Sequence, residues 1–416
     1  MDVQTENCNA TAKSDIKNEV PENDDCGYGK TLRESVDAGN VDQVRQILAD
    51  GANVDSVDKD GMTPLQHAAY KGNLELCEML LALGADVNYS AHENGYTALM
   101  FAALSGKKDV VRLLLEHDAC VGLVNSVQRT AAQMAAFIGQ HEIVSLINNF
   151  FSPKDLEYYC QPRGLETEPK LPPSLFPALY KYVINVNLNP VKLSFILREN
   201  NELINNADCV IRVLDLLCEK MMKQRDTNEI LAMKFCYLSF VLSQAAKSHA
   251  EWQQKSGEGP VLEMWIKYLL KTNEIKEIPG NQDQLVCGML KEFPYAESHL
   301  FQQIVRAIAT SASSASALSV LVSCINGQRF ASAEDKSCST CNELGGKTCQ
   351  NCKSVFYCNR ECQKLHWFVH KKQCSSLAAE QKTIEMQKLA EAENEGKPEQ
   401  DIEKEEKENT VQEENK

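Results

Sequence analysis

Four glycines set the frame for the first third of the chain: Gly39, Gly72, Gly106 and Gly139 stand 33–34 residues apart. Three threonines keep the same step and each opens a similar string. These are Thr63-Pro64-Leu65-Gln66-His67-Ala68-Ala69, Thr97-Ala98-Leu99-Met100-Phe101-Ala102-Ala103 and Thr130-Ala131-Ala132-Gln133-Met134-Ala135-Ala136. After each glycine comes a second apolar segment, with Val44/Ile47/Leu48, Leu76/Leu80/Leu81, Val110/Leu114/Leu115 and Ile143/Leu146/Ile147 at helical spacing. Threonine is a helix cap, paired alanines let two helices approach closely, and glycine turns the chain through the left-handed region between them. A unit of this length cannot bury its apolar face alone, so the copies must stack. A generic helical bundle has no reason to keep such a period.

The motif resembles the ankyrin repeat, whose signature reads T-P-L-H-x-A-A-x-x-G followed by L-L-x-x-G-A. The resemblance covers residues 30–151 as three to four repeats. It is closest in copies two and three; the first lacks T-P-L and the last lacks the G-A closure, as end caps do. Gln66 stands where the family carries histidine, which is expected to weaken one buried hydrogen bond. The resemblance implies protein binding through inner-helix positions that the repeat does not fix: His67, Phe101 and Met134; Tyr70, Leu104 and Phe137; Lys71, Ser105 and Ile138. The turn tips add Tyr89 and His92. Exposed, such an apolar stripe marks an interaction site; the competing expectation is that the helical middle of the chain folds back and covers it.

Residues 152–173 hold five prolines and little periodicity, so they read as a linker. Residues 174–330 read as a helical domain without a recognisable motif, with helices expected over 210–222, 229–254, 261–271 and 298–308. The most apolar run, residues 230–242, is 13 residues long and contains Lys234, which favours a buried helix over a membrane span. The N-terminal sequence has neither the basic nor the apolar region of a secretory signal, so a soluble intracellular protein is expected.

Net charge is −15, but residues 1–29 carry −5 of it and residues 375–416 carry −7. The ends read as an acidic disordered tail and a charged tail, helical at first and then disordered. The body between lacks the basic footprint of a nucleic-acid-binding protein.

Of 17 cysteines, ten are scattered and seven lie within residues 338–374. Written out, the cluster is Cys338-x2-Cys341-x7-Cys349-x2-Cys352-x5-Cys358-x3-Cys362-x3-His366-x3-His370-x3-Cys374. Two C-x-x-C pairs, one C-x3-C pair and one H-x3-C pair give eight ligands, the number that two tetrahedral zinc ions require. A segment this short has almost no apolar core, so metal must supply its folding free energy. Spacing alone settles neither the pairing nor whether His366 or His370 is the ligand.

The spacing, the tyrosine before Cys358, the glutamine after Cys362 and the Trp367-x-x-His370-Lys371 run resemble a MYND-type zinc finger. That resemblance implies two structural zinc ions on interleaved pairs. Cys338, Cys341, Cys358 and Cys362 hold one; Cys349, Cys352, His370 and Cys374 hold the other. MYND fingers bind proline-containing peptides, and Gln363 and Trp367 match the positions that line their groove; the plainer expectation is that Trp367 fills the finger's small core. Six bases and two acids in residues 338–374 roughly balance seven thiolates and two zinc ions, which disfavours a phosphate-binding role.

The expected fold class is mainly α: an ankyrin solenoid, a helical middle domain and a small C-terminal double-zinc finger. With filled zinc shells, no phosphate-binding glycine loop and no nucleophile triad, an enzyme is not expected. The order of modules resembles the ankyrin repeat and MYND domain-containing family. It implies a non-enzymatic adaptor for other proteins in the cytoplasm, with a role in carrying signalling proteins to cilia. A nuclear corepressor scaffold is the alternative.

Overall fold

A computed structural model describes residues 28–91, 93–162, 164, 166–225, 227–256, 262–271, 280–310, 316–327 and 336–395. Nearly all of the expected N-terminal tail (1–27), the last part of the C-terminal one (396–416) and His92 lie outside the described residues.

The repeat becomes four helix pairs. The inner helices are α1 (Tyr28–Asp37), α3 (Pro64–Lys71), α5 (Ala98–Leu104) and α7 (Ala131–Ile138). Their outer partners are α2 (Val41–Ala49), α4 (Leu74–Ala82), α6 (Lys108–Glu116) and α8 (His141–Asn149). Thr63, Thr97 and Thr130 cap their helices as expected, each hydroxyl accepting from the backbone N–H three residues on. Gly72 closes α3 at φ +79°, a conformation in which a Cβ would collide with the stem of Lys107. One apolar core runs unbroken from Leu32 to Ile147.

The hydrogen bond expected to be weak at Gln66 is fully replaced. Its Nε2 donates to the carbonyls of Tyr89 (3.0 Å) and Tyr96 (2.9 Å), and its Oε1 accepts from the Thr63 N–H (2.9 Å). The amide of a fully buried glutamine thus joins two turns of the stack, as a histidine would.

The expected linker is a folded element. Pro153 occupies the first turn of α9 (Pro153–Cys160), where its missing N–H costs nothing, and Leu156, Cys160 and Leu171 are buried. Proline here starts a helix instead of breaking one. A 3-10 turn (Pro173–Leu175) leads into α10 (Phe176–Val183), α11 (Pro190–Glu199), α12 (Glu202–Asn205), α13 (Ala207–Lys223) and α14 (Glu229–Ser256). After α15 (Glu263–Leu270) come α16 (Asn281–Glu292), α17 (His299–Thr310) and α18 (Ala317–Asn326).

In the middle domain α13 lies along α14, and the buried Tyr182 and Tyr237 hydroxyls donate to the carbonyls of Leu238 (3.1 Å) and Leu188 (3.0 Å). The Glu229 carboxylate caps α17 by accepting from the backbone of His299 and Leu300, and Asp283 does the same for α18 at Leu318. Helix α14 has the length and hydropathy of a membrane span, but most of its apolar stretch is buried, which is also true of core helices in soluble proteins.

The chain divides into two compact units. The first contains the repeats together with the middle helices: Met1–Leu188, Leu193–Leu262 and Gln282–Ala331. The second contains Asn189–Lys192, Glu263–Asn281 and Ser332–Lys416. Two expected boundaries therefore change. The repeats and the middle domain are continuous, with α8 packed on α18, and α15 belongs with the C-terminal finger, where it packs on α19 (Arg360–His370).

The finger holds a two-stranded antiparallel ribbon, β1 (Lys347–Thr348) and β2 (Phe356–Tyr357), followed by α19 and by α20 (Cys374–Glu395).

Candidate metal centre and interaction surfaces

Both C-x-x-C segments close the same way. The N–H of Asn342 donates to the Cys338 carbonyl and that of Lys353 to the Cys349 carbonyl, each at 2.9 Å. Asn342 and Lys353 take φ of +59° and +55°, so each knuckle ends on a left-handed residue that turns both thiols inward. The remaining ligands come from the end of β2 and from helices. Asn359 caps α19 by accepting from the Cys362 N–H at 2.8 Å, and Thr340 donates to the Cys362 carbonyl at 2.9 Å. This fixes Cys358 and Cys362 beside the first knuckle.

Two quartets result. Cys338, Cys341, Cys358 and Cys362 form one, and Cys349, Cys352, His370 and Cys374 the other, with ligand atoms in each within 4.8 Å of one another. Sulfur separations are 3.5 Å for Cys341–Cys358, 3.5 Å for Cys358–Cys362 and 3.8 Å for Cys349–Cys374; Cys352 Sγ is 3.6 Å from His370 Nε2. A tetrahedral ion with Zn–S near 2.3 Å needs sulfurs about 3.8 Å apart, far beyond a disulfide bond. The quartets fit two structural zinc ions.

The chemistry of the donors agrees. Thiol hydrogen bonds from Cys341 and Cys362 drive Cys338 far below the ordinary thiol range, and the contact with Cys338 pushes Cys362 far up. Thiols this crowded compete for protons, a conflict that a dication resolves.

His366 stands outside both quartets, its Nδ1 3.1 Å from the Tyr357 hydroxyl. Burial, and then the neighbouring His370, lower its pKa. Asn351, which spacing did not single out, donates to Cys374 Sγ at 3.3 Å.

The finger's own core is Tyr357, Leu365 and Val369. Trp367 is 48% exposed, so it does not serve as core filler. With Arg360, Gln363 and Lys364 it lines an open groove of about 440 Å³ along one face of α19. Gln363 and Trp367 were expected there. The two bases flanking them were not singled out, although the i, i+3, i+4, i+7 spacing puts all four on one face.

On the repeats the expected stripe divides by depth. Tyr70, Phe137, Ile138 and Lys71 are exposed, Leu104 and Ser105 are half-buried, and His67, Phe101 and Met134 are buried. The cause is the same in each copy: the loop before the threonine folds over the buried position. Asp58 Oδ2 lies 2.7 Å from His67 Nε2, Tyr96 meets Phe101 edge-on at 5.4 Å, and Asn125 Nδ2 donates to Met134 Sδ at 3.3 Å.

His67 is held further by a charged cluster, because Arg33 reaches Asp58 at 3.3 Å and Asp37 lies 3.7 Å from His67 Nδ1. Burial alone would raise the Asp58 carboxyl. The amides of Met62 and Asp60 and the His67 ring outweigh it and hold the group below its ordinary value. Phe137 faces solvent with the Arg129 guanidinium 4.7 Å above its ring. Among the described residues, the middle domain leaves Tyr70, Phe137 and Ile138 exposed.

Comparison with known proteins places both modules. The ankyrin-repeat profile, in three copies, matches residues 32–125, and the MYND-finger profile matches residues 338–374. The chain is 33% identical over 356 residues to Dauer abnormal formation protein 25 of Caenorhabditis elegans, covering 84% of this chain and 91% of that protein. Partial matches include the probable E3 ubiquitin-protein ligase XBOS34 of Oryza sativa subsp. japonica, 36% identical over 29% of this chain and 24% of that one. Another is the putative E3 ubiquitin-protein ligase XBAT35 of Arabidopsis thaliana, 31% identical over 32% of this chain and 29% of that one.

Proposed function

The chain belongs to the family of proteins that combine ankyrin repeats with a MYND finger, and on that premise we propose that it is an adaptor that captures extended, proline-containing segments of other proteins on its finger. Both modules are protein-interaction modules without catalytic chemistry, and the ligase names belong to relatives matched over less than a third of their length. The observation that carries the reading is that α19 both supplies metal ligands and leaves a tryptophan exposed over a groove. Cys362 and His370 of this helix enter the zinc quartets, while Trp367, its ring 5.9 Å from that of His370, is left exposed beside the half-buried Gln363.

Each part of that groove has a use in the proposal. The indole offers a flat apolar surface for a proline ring, and the Gln363 amide can pair with an extended backbone that has no internal hydrogen bonds. Zinc acts by holding the helix that carries them, and its ligand His370 lies 5.9 Å ring to ring from Trp367. A second partner surface is the outer row of the repeats, with Tyr70, Phe137 and Ile138 as its anchors. The family resemblance supports a cytoplasmic adaptor in the delivery of signalling proteins to cilia; a tagged chain confined to the nucleus would favour the corepressor alternative.

The direct test is binding of short proline-containing peptides to the full zinc-loaded chain and to its Trp367→Ala variant. Loss of binding with zinc still at two ions supports the groove. Unchanged binding, or loss of metal from the variant, overturns it.

A further inference from the structure

Resting on the peptide groove just described, we propose that its partner is acidic: the groove selects a proline-containing segment flanked by glutamate or aspartate, read by Arg360 and Lys364. The starting observation is a pair of exposed bases on the groove with no ion pair among the described residues. Arg360 is the first residue of α19, where the helix dipole favours an anion and disfavours a cation. Lys364 stands one turn on, and like charges at i, i+4 repel. Among the described residues neither base makes an ion pair, and both are exposed. The only acid in α19 is Glu361, three residues before Lys364 and not among the residues that line the groove.

The electrostatics favour one kind of occupant. Arg360, Lys364 and the N-terminal end of an 11-residue helix all present positive potential around the indole and amide of Trp367 and Gln363. A carboxylate beside the apolar contact would relieve the repulsion between the bases and complement the dipole. It would also accept charge-assisted hydrogen bonds, bidentate at Arg360. A bare polyanion is a poorer match. Two bases are few for phosphate-driven binding, and the loaded finger as a whole is close to neutral, the surplus of six bases over two acids being nearly cancelled by what seven thiolates leave after two zinc ions.

The test uses the full zinc-loaded chain and fluorescent synthetic peptides read by anisotropy. The reference peptide has one proline between leucines, flanked by glutamates. One control replaces each glutamate with glutamine; another keeps the glutamates and replaces proline with alanine. Replacing glutamate by glutamine is expected to weaken binding roughly three- to tenfold, an effect that shrinks as salt rises. The Arg360→Glu/Lys364→Glu variant should bind the glutamate peptide at least as poorly and should prefer the same peptide with lysines, a rescue that a merely structural role would not produce.

Equal affinity for the glutamate and glutamine peptides overturns acidic selectivity while leaving the proline groove standing. Equal affinity for the proline and alanine peptides, with Trp367→Ala indifferent, overturns the groove itself. Efficient competition by inorganic phosphate or an RNA oligomer identifies a generic anion surface and also overturns the proposal. Absence of binding to every peptide overturns both readings.

Discussion

The side-chain amide of Asn149 donates to the side-chain carbonyl of Asn326 at 2.8 Å, joining the last helix of the repeats to the last helix of the middle domain across 177 residues of sequence. Both side chains are buried. Around them Ser145 Oγ donates to the Asn326 carbonyl (3.2 Å), Asn148 Nδ2 donates to the Ile325 carbonyl (3.1 Å), and Asn326 Nδ2 donates to the Val186 carbonyl (3.2 Å). The C-terminal carbonyls of α18 are thus satisfied by side chains of α8. An ankyrin stack needs a polar cap at each end, and here one end is capped by a folded domain.

Asn326→Ala should therefore cost roughly 1–3 kcal/mol, since it leaves the Asn149 amide without one of its acceptors. Because the bond bridges both halves of the first unit, repeats and middle domain should lose stability together in one denaturant transition. Two separated transitions in the wild-type chain, reported by probes placed on each half, would show that the bridge does not couple them.

Gly327 ends α18 at φ +69°, and a Cβ built there would sit 2.4 Å from Val144 Cγ1 on α8. Gly327→Ala should be destabilising by about 2–4 kcal/mol, combining the cost of a left-handed alanine with overpacking. The two contributions separate in a double variant. Val144→Ala should recover the overpacking share and leave the backbone share, and the urea midpoints of the four chains measure both. If Val144→Ala recovers nothing, the close approach is not the cause.

Much of this was legible in the sequence, for physical reasons that differ by region. Threonine caps and glycine turns are local, so the 33–34-residue step located every inner helix. Ligand spacing counted two zinc ions, yet it could not choose between His366 and His370. Both lie at helical spacing from other ligands, and the choice depends on Tyr357 taking His366 into a hydrogen bond. Depth on the repeat face was not legible, because it depends on loops folding back onto His67, Phe101 and Met134. The linker was misread because proline both breaks helices and begins them. The match between Asn149 and Asn326 has no local signal at all.

Lys234 lies on the buried helix α14, as its apolar surroundings in the sequence imply. The side chain is fully buried, its terminal nitrogen has no hydrogen-bond partner among the described residues, and burial lowers its pKa from 10.5 to about 7. Between those two values the unfolded chain holds a proton that the native chain has released. Stability therefore rises with pH across that window, and the penalty is full at and below about pH 7. Lys234→Met, which keeps the volume and removes the charge, should stabilise the protein by roughly 1–4 kcal/mol near neutrality. The gain should fade as pH approaches 10.5. Denaturant midpoints of both chains at about pH 6 and about pH 10 test the sign and its pH dependence. A destabilised variant at neutral pH would mean that the amine is satisfied in solution.

Zinc removal should reach beyond the finger, because the first residue of α20 is itself a ligand. Cys374 belongs to the second quartet, and α20 runs 22 residues from it. Two further ties hold α20 to the second knuckle: Ser354 Oγ donates to Gln381 Oε1 at 3.5 Å, and Lys353 Nζ is 3.7 Å from Glu385 Oε1. Beyond its first turns the helix buries little. Ile384 and Met386 are exposed, and an isolated helix of this length is marginal in water. Zinc contributes about 10–16 kcal/mol of apparent binding free energy in small finger peptides, so its loss unfolds a segment with so small an apolar core. Chelation should accordingly release two ions per chain, lower far-UV helicity and expose the amides of residues 374–387 to rapid hydrogen exchange together with those of the finger. Protection of the inner helices α3, α5 and α7 should not change, since they sit in the other compact unit. Cys374→Ser should reproduce the loss in α20 while one ion stays bound at the first quartet. If the α20 amides stay protected after complete removal of metal, the helix stands without its ligand and the coupling does not exist.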